Sequence, residues 1–127
     1  MNRVLVTGGC GFIGVNLVQQ LIDKNDKVYV LDNNSSGDNF IKNKLVKYYD
    51  VDVSQVTDYD FFVEGVIDYV VHLAALPRIQ FSLKNPDKVF DANMIGTKNV
   101  TAWCAKNKIP LVFAGTSSVH GDILVKN

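Results

Sequence analysis

Thr7-Gly8-Gly9-Cys10-Gly11-Phe12-Ile13-Gly14 follows an apolar run, Val4-Leu5-Val6, and opens an amphipathic run from Ile13 to Ile22. The stretch therefore sits between a predicted strand and a predicted helix. Gly9, Gly11 and Gly14 satisfy G-x-G-x-x-G, and Gly8, Gly11 and Gly14 also satisfy G-x-x-G-x-x-G. Glycine suits a sharp strand-to-helix turn because it alone takes positive φ cheaply. One missing side chain lets a pyrophosphate lie against the backbone, and another lets helix and strand pack closely. The helix N-terminus then presents free N–H groups and the positive end of a dipole to the phosphates. An ordinary βα turn is the alternative, and the strand-before, helix-after context disfavours it.

The strand after this helix is predicted at Val28–Leu31, with Asp32 at its C-terminal end, 18 residues beyond Gly14. A carboxylate there can accept both ribose hydroxyls of an adenosine, which favours NAD over NADP. The residues that follow are Asn33 and Asn34, not the cation that a 2′-phosphate would want. The alternative is an aspartate that merely starts a solvated loop.

The rest of the chain continues the alternation. Arg3–Thr7 is the first strand and Gly11 to Lys24 the first helix, with Ile13, Leu17, Val18, Leu21 and Ile22 on one stripe and Lys24-Asn25-Asp26 as its stop. Asn33 to Asn39 is a loop, Leu45–Val51 a third strand, and Ser54 to Glu64 a short helix. Tyr69–Leu73 is a fourth strand, and a loop runs from Ala74 to Asn85. Asn85-Pro86 starts a helix that runs to Lys106. Leu111–Ala114 is a fifth strand, followed by a loop from Gly115 to Gly121. Strands that are continuously apolar, such as Val4-Leu5-Val6, suit a parallel sheet covered on both faces. The expected fold is α/β, a Rossmann-type doubly wound parallel sheet of order 3-2-1-4-5, truncated after the fifth strand. It occupies residues 1–127 as one partial dinucleotide-binding domain.

Composition narrows the function classes. Lys+Arg and Asp+Glu each number 13, so no net field draws nucleic acid or an anionic membrane. A length of 127 residues suits one domain, and no apolar run reaches the ~20 residues of a membrane span. The N-terminus enters a strand within three residues, which leaves no room for a signal peptide. Cys10 and Cys104 fit no metal-ligand spacing, so no metal is expected. They suit a reducing cytoplasm better than a disulfide scaffold.

The glycine stretch, Leu31-Asp32-Asn33, Asp52-Val53 and His72-Leu73-Ala74-Ala75 together resemble the extended short-chain dehydrogenase/reductases. Within these, the chain is most similar to the NAD-dependent nucleotide-sugar epimerases and dehydratases. Ser82, Pro86, Asn93, Gly96, Thr97, Asn99 and Val100 continue the match, which runs from Arg3 to about Gly121. The resemblance implies that Gly8, Gly11 and Gly14 form the pyrophosphate loop, with Phe12 and Ile13 as backbone donors. It implies that Asp32, followed by Asn33, takes the adenosine ribose and that Asp52 and Val53 contact the adenine edge. Leu73 leads into Ala74 and Ala75, which would pass under the cofactor phosphates and nicotinamide ribose, and Asn93 would lie buried beside the cofactor. Each also has a plainer reading: Asp52 could end the third strand, Ala74-Ala75 would serve any tight strand exit, and Asn93 could be a satisfied helix residue. Phe113 to Gly121 resembles the family's strand-five exit, which places Thr116 on the catalytic Ser/Thr, or Ser117 if the register slips by one. Ala114 and Gly115 depart from that pattern, and His120 replaces the usual tyrosine. His72 reads as the end of a buried strand.

The resemblance also implies a general base, a tyrosine in Tyr-x-x-x-Lys, whose lysine lowers the tyrosine's pKa and holds the nicotinamide ribose. The five tyrosines here are Tyr29, Tyr48, Tyr49, Tyr59 and Tyr69, and none has lysine four residues on. The leading expectation is the NAD-binding part of a nucleotide-sugar epimerase or dehydratase, inactive alone. The alternatives are a non-catalytic NAD-binding or association module and, less well supported, a flavodoxin-like phosphate binder. Along the helix that starts at Asn85-Pro86, Val89, Ala92, Gly96, Val100 and Trp103 form one stripe, and Phe90, Met94, Thr97, Thr101 and Cys104 form a second. Exposure of Phe90 and Met94 predicts a homodimer or larger species.

Overall fold

The computed structural model describes residues 1–33, 39–73 and 94–113. Its elements are β1 (Arg3–Thr7), α1 (Phe12–Asp23), β2 (Lys27–Asp32), β3 (Val46–Asp50), a 3-10 turn (Asp60–Phe62), β4 (Tyr69–His72), α2 (Gly96–Asn107) and β5 (Leu111–Phe113). The five strands form one parallel sheet in the order β3-β2-β1-β4-β5, as expected.

Successive residues of a strand point to opposite faces, and both faces are covered. Val4 and Val6 pack with Val18, Leu21 and Ile22 of α1 and with Val28 and Val30. Leu5 packs on the other face with Tyr29, Leu31, Val70 and with Val100, Trp103 and Cys104 of α2. This two-sided burial is why β1 and β2 read as unbroken apolar runs. All five strands run the same way, so Thr7, Asp32, Asp50, His72 and Phe113 end along one edge of the sheet. Strand order reverses between β1 and β4, which opens a crevice at that edge.

Both helices end alike. After α1, Asn25 N–H donates to Ile22 O and Asp26 N–H to Leu21 O, with Asn25 left-handed at φ 66°. After α2, Lys108 N–H donates to Ala105 O and Ile109 N–H to Cys104 O, with Lys108 at φ 56°. These paired bonds satisfy carbonyls that would otherwise be orphaned. The expected stop at Lys24-Asn25-Asp26 is therefore where the chain turns.

Some expectations need correction. The helix expected over Ser54 to Glu64 is reduced to the single 3-10 turn. Local acceptors compete with a helix there: Asp52 Oδ1 accepts from Ser54 N–H and Oγ–H, and Asp58 Oδ1 accepts from Asp60 N–H. Tyr59 is fully buried, and its hydroxyl donates to Val56 O at 2.9 Å, which ties the segment into a compact loop. β2 extends one residue further than expected and takes in Asp32, while β3 stops at Asp50. Cys104, assigned to the second face of its helix, is buried in the same cluster as Trp103. Gly96, Val100 and Trp103 are buried as expected, and Met94 is 60% exposed. The start expected at Asn85-Pro86, and Phe90, lie outside the described residues.

Candidate cofactor-binding site

The glycine loop joins β1 to α1 at the centre of the crevice. Gly8 has φ 78°, and its N–H donates to Leu31 O at 2.9 Å, so the turn is tied to the end of β2. A Cβ on Gly9 would lie 2.5 Å from Val30 Cγ1, and one on Gly14 would lie 2.2 Å from Gly8 O. These two glycines are demanded by the protein's own packing. Gly11 differs: a Cβ there would meet nothing closer than Gly8 O at 3.7 Å, and its φ of −79° is open to any residue. The space over Gly11 lies in front of the first turn of α1, which has no side-chain cap and no acidic residue. Such an end offers N–H donors and a positive dipole to an anion. Phe12 and Ile13 open that helix with exposed side chains.

Asp32 stands beside the loop. Its Oδ2 accepts from Cys10 N–H at 2.9 Å, and its carbonyl accepts from Val51 N–H. The carboxylate is nearly buried and aimed across the glycine loop. Asn39 returns to the same place, its N–H and Nδ2–H both donating to Cys10 O. Asn33 follows β2 as an exposed residue. A cavity of about 220 Å³ opens here, lined by Cys10, Asp32, Phe40, Tyr48, Tyr49 and Asp50.

Asp52 and Val53 lie just past β3. Asp52 is half-buried and organises the turn to Gln55 through the bonds to Ser54 and a carbonyl bond from Gln55 N–H. Val53 has its side chain in the core, and its carbonyl accepts from Asn99 Nδ2–H at 2.9 Å, with the Tyr59 hydroxyl oxygen 3.3 Å away. Val53 is thus tied to α2 through its carbonyl, and the Asp52 side chain is engaged by Ser54.

Across the crevice, Leu73 leaves β4 with its N–H donating to Thr7 O and Thr7 Oγ1. His72, which ends β4, is buried among Thr7, Thr97 and the ring of Phe113. Its Nδ1 lies 2.6 Å from Thr7 Oγ1 and its Nε2 lies 2.9 Å from Thr97 Oγ1. Burial pushes the imidazole down to about 4 from its usual 6.5, so the ring is neutral. Its reading as a strand-ending buried histidine agrees with this position. Ala74, Ala75, Asn93, Thr116, Ser117 and His120 lie outside the described residues.

The structure brings Gly8, Gly11, Phe12, Ile13, Gly14 and Asp32 together around one crevice, with Asp52, Val53 and Leu73 at its flanks. Sequence reasoning missed Cys10 as the backbone donor to Asp32, because a backbone N–H carries no side-chain signature. It also missed Asn39 and Asp50, which enter the site only through loop closure and strand register. Among the described residues, no three His, Cys, Asp or Glu side chains converge as a metal site, and no helix is long and apolar enough to cross a membrane.

Residues 4–125 match the sequence model of the NAD dependent epimerase/dehydratase family. A UDP-N-acetyl-alpha-D-glucosaminuronate decarboxylase of Bacillus cytotoxicus is 31% identical over 94% of this chain and 38% of its own length. Among solved structures, a UDP-glucose 4-epimerase from Thermus thermophilus in complex with NAD superposes with TM-score 0.75 at 34% identity, over 90% of this chain and 37% of that one. A UDP-N-acetylglucosamine 4-epimerase from Methanobrevibacter ruminantium M1, in complex with UDP-N-acetylmuramic acid, superposes with TM-score 0.83 at 31% identity, over 94% and 39%. The chain thus spans under two fifths of the length of these relatives.

Proposed function

The chain belongs to the NAD dependent epimerase/dehydratase family, and from that premise we propose that it is the NAD-binding portion of a nucleotide-sugar epimerase or dehydratase. The observation that carries the reading is the cradle at Gly11: space before an uncapped helix N-terminus, flanked by Asp32 with its carboxylate held on Cys10 N–H. The loop from Gly8 to Gly14 takes the pyrophosphate on the backbone donors of Phe12 and Ile13. Asp32, with Asn33 beside it, accepts the adenosine ribose hydroxyls, and Asp52-Val53 borders the adenine. Leu73, Ala74, Ala75 and Asn93 serve the nicotinamide half, and Thr116 hydrogen-bonds the reacting sugar hydroxyl. NAD, when bound, supplies a hydride acceptor for a sugar hydroxyl carbon and returns the hydride later in the cycle.

No tyrosine in these 127 residues has lysine four positions on, so they lack the proton acceptor that hydride removal needs. The 127 residues alone bind NAD without turning over a nucleotide sugar. Titration calorimetry with NAD⁺ tests the binding, and an assay with UDP-glucose and UDP-galactose tests the inactivity. Absence of NAD⁺ binding, or clear epimerisation by the purified chain, would overturn the corresponding half of the reading. A non-catalytic NAD-binding or association module is the second reading, favoured by the exposed Met94, Val112 and Phe113. A Tyr-x-x-x-Lys farther along the natural gene would decide for the enzyme.

A further inference from the structure

We infer that Asp50 is a second carboxylate that selects NAD against NADP, acting beside Asp32. The inference rests on the cofactor reading above. Asp32 ends β2 and Asp50 ends β3, and the two are partners in the parallel register. Register partners send their side chains to the same face of the sheet. Here that face is the one covered by α1 and the glycine loop, since Val28, Val30, Val46 and Cys10 belong to one cluster.

Both aspartates line the 220 Å³ cavity with Cys10, Phe40, Tyr48 and Tyr49, and no Lys or Arg among the described residues lines it. Asp50 is exposed and makes no ion pair among the described residues, and the lysine of its own strand, Lys47, is paired with Glu64. With the ribose hydroxyls held by Asp32, a phosphate on the 2′-oxygen has to enter the space beside that carboxylate, which is this cavity. It would meet two carboxylates and no cation. A unit charge about 4 Å from another is worth roughly a factor of five in water-like surroundings, and a phosphate monoester carries nearly two charges. Two such charges multiply to roughly 25-fold, and salt screening at the exposed Asp50 lowers its own contribution to about tenfold.

The test compares NAD⁺ and NADP⁺ affinities by calorimetry for the wild-type chain, Asp50→Asn, Asp50→Lys and, as a charge-matched control at the far end of α1, Asp23→Asn. The wild type is expected to prefer NAD⁺. In Asp50→Asn that preference falls about tenfold, in Asp50→Lys it falls further, and in Asp23→Asn it does not move. Wild-type NAD⁺ binding with an unchanged preference in both Asp50 variants overturns this inference and leaves the cofactor reading standing. An equal shift in Asp23→Asn also overturns it, because net charge would then explain the effect. A wild-type chain that binds neither dinucleotide overturns the cofactor reading and this inference with it.

Discussion

Thr7 Oγ1 and His72 Nδ1 lie 2.6 Å apart where β1 and β4 end side by side, and the other ring nitrogen reaches Thr97 of α2. One neutral imidazole thus joins two strand ends and a helix beneath the crevice. Protonating it would leave a charge buried among two hydroxyls and a phenyl ring.

The pH dependence of stability follows with a definite sign. The folded imidazole sits at about 4 and the unfolded one near 6.5, so the unfolded chain binds more protons between those values. The contribution is fully present above pH 6.5 and is lost as pH falls towards 4. At about 1.4 kcal/mol per unit, about 2 kcal/mol goes between pH 6.5 and pH 5. Urea unfolding at several pH values should show this slope, and His72→Gln should flatten it while lowering stability throughout. A slope of the same size in His72→Gln would refute the assignment.

Gly11 and Gly14 should separate binding from folding. Alanine at Gly14 would drive its Cβ into Gly8 O and the Gly9 backbone, at a cost of about 3 kcal/mol or more in stability. Alanine at Gly11 fits the protein and costs less than about 1 kcal/mol, the penalty for alanine at a helix N-cap. It should nevertheless weaken NAD⁺ binding at least about tenfold, because it fills the cradle. Thermal melts and calorimetry on both variants check the contrast, and unimpaired NAD⁺ binding by Gly11→Ala would count against the cradle.

Burial pushes the Cys104 thiol up to about 11, and the side chain lies within the α2 cluster. The thiolate is the reactive form. Iodoacetamide at pH 8 should leave Cys104 unmodified in the native chain and alkylate it in urea, as peptide mass mapping would reveal. Rapid native modification would show that α2 does not seal the site.

Met94 and Val112 are more than half exposed, and Phe113 joins them at the end of β5, an edge strand of the described sheet. Apolar edge strands invite pairing. Sedimentation velocity should find a dimer or larger species that Val112→Lys shifts towards monomer. A wild-type monomer at high concentration would oppose this.

What was legible early was whatever a strand or helix pattern writes into consecutive residues. Val4-Leu5-Val6 before the glycines and the Ile13–Ile22 stripe after them specify a βα unit, and its repetition specifies the sheet order. Patterns failed where local side-chain bonding overrode periodicity, as in Ser54 to Glu64. There Asp52, Asp58 and Tyr59 supply acceptors and anchors that the apolar count of Phe61 and Phe62 does not reveal. Phe61, an apolar residue of this segment, is 87% exposed.

The parallel sheet, the glycine turn and the placing of Asp32 at a strand end follow from spacing along the chain. Which glycine serves which purpose depends on packing between distant parts of the chain, and so does the pairing of remote side chains. Gly9 and Gly14 face Val30 and the Gly8 carbonyl too closely for a Cβ, whereas at Gly11 a Cβ would make only an ordinary contact with Gly8 O. Tertiary packing likewise sets Asp50 beside Asp32 and lets His72 bridge Thr7 and Thr97. Those relationships join residues 18, 65 and 25 positions apart. They arise only when strand register and helix packing bring the distant residues into contact.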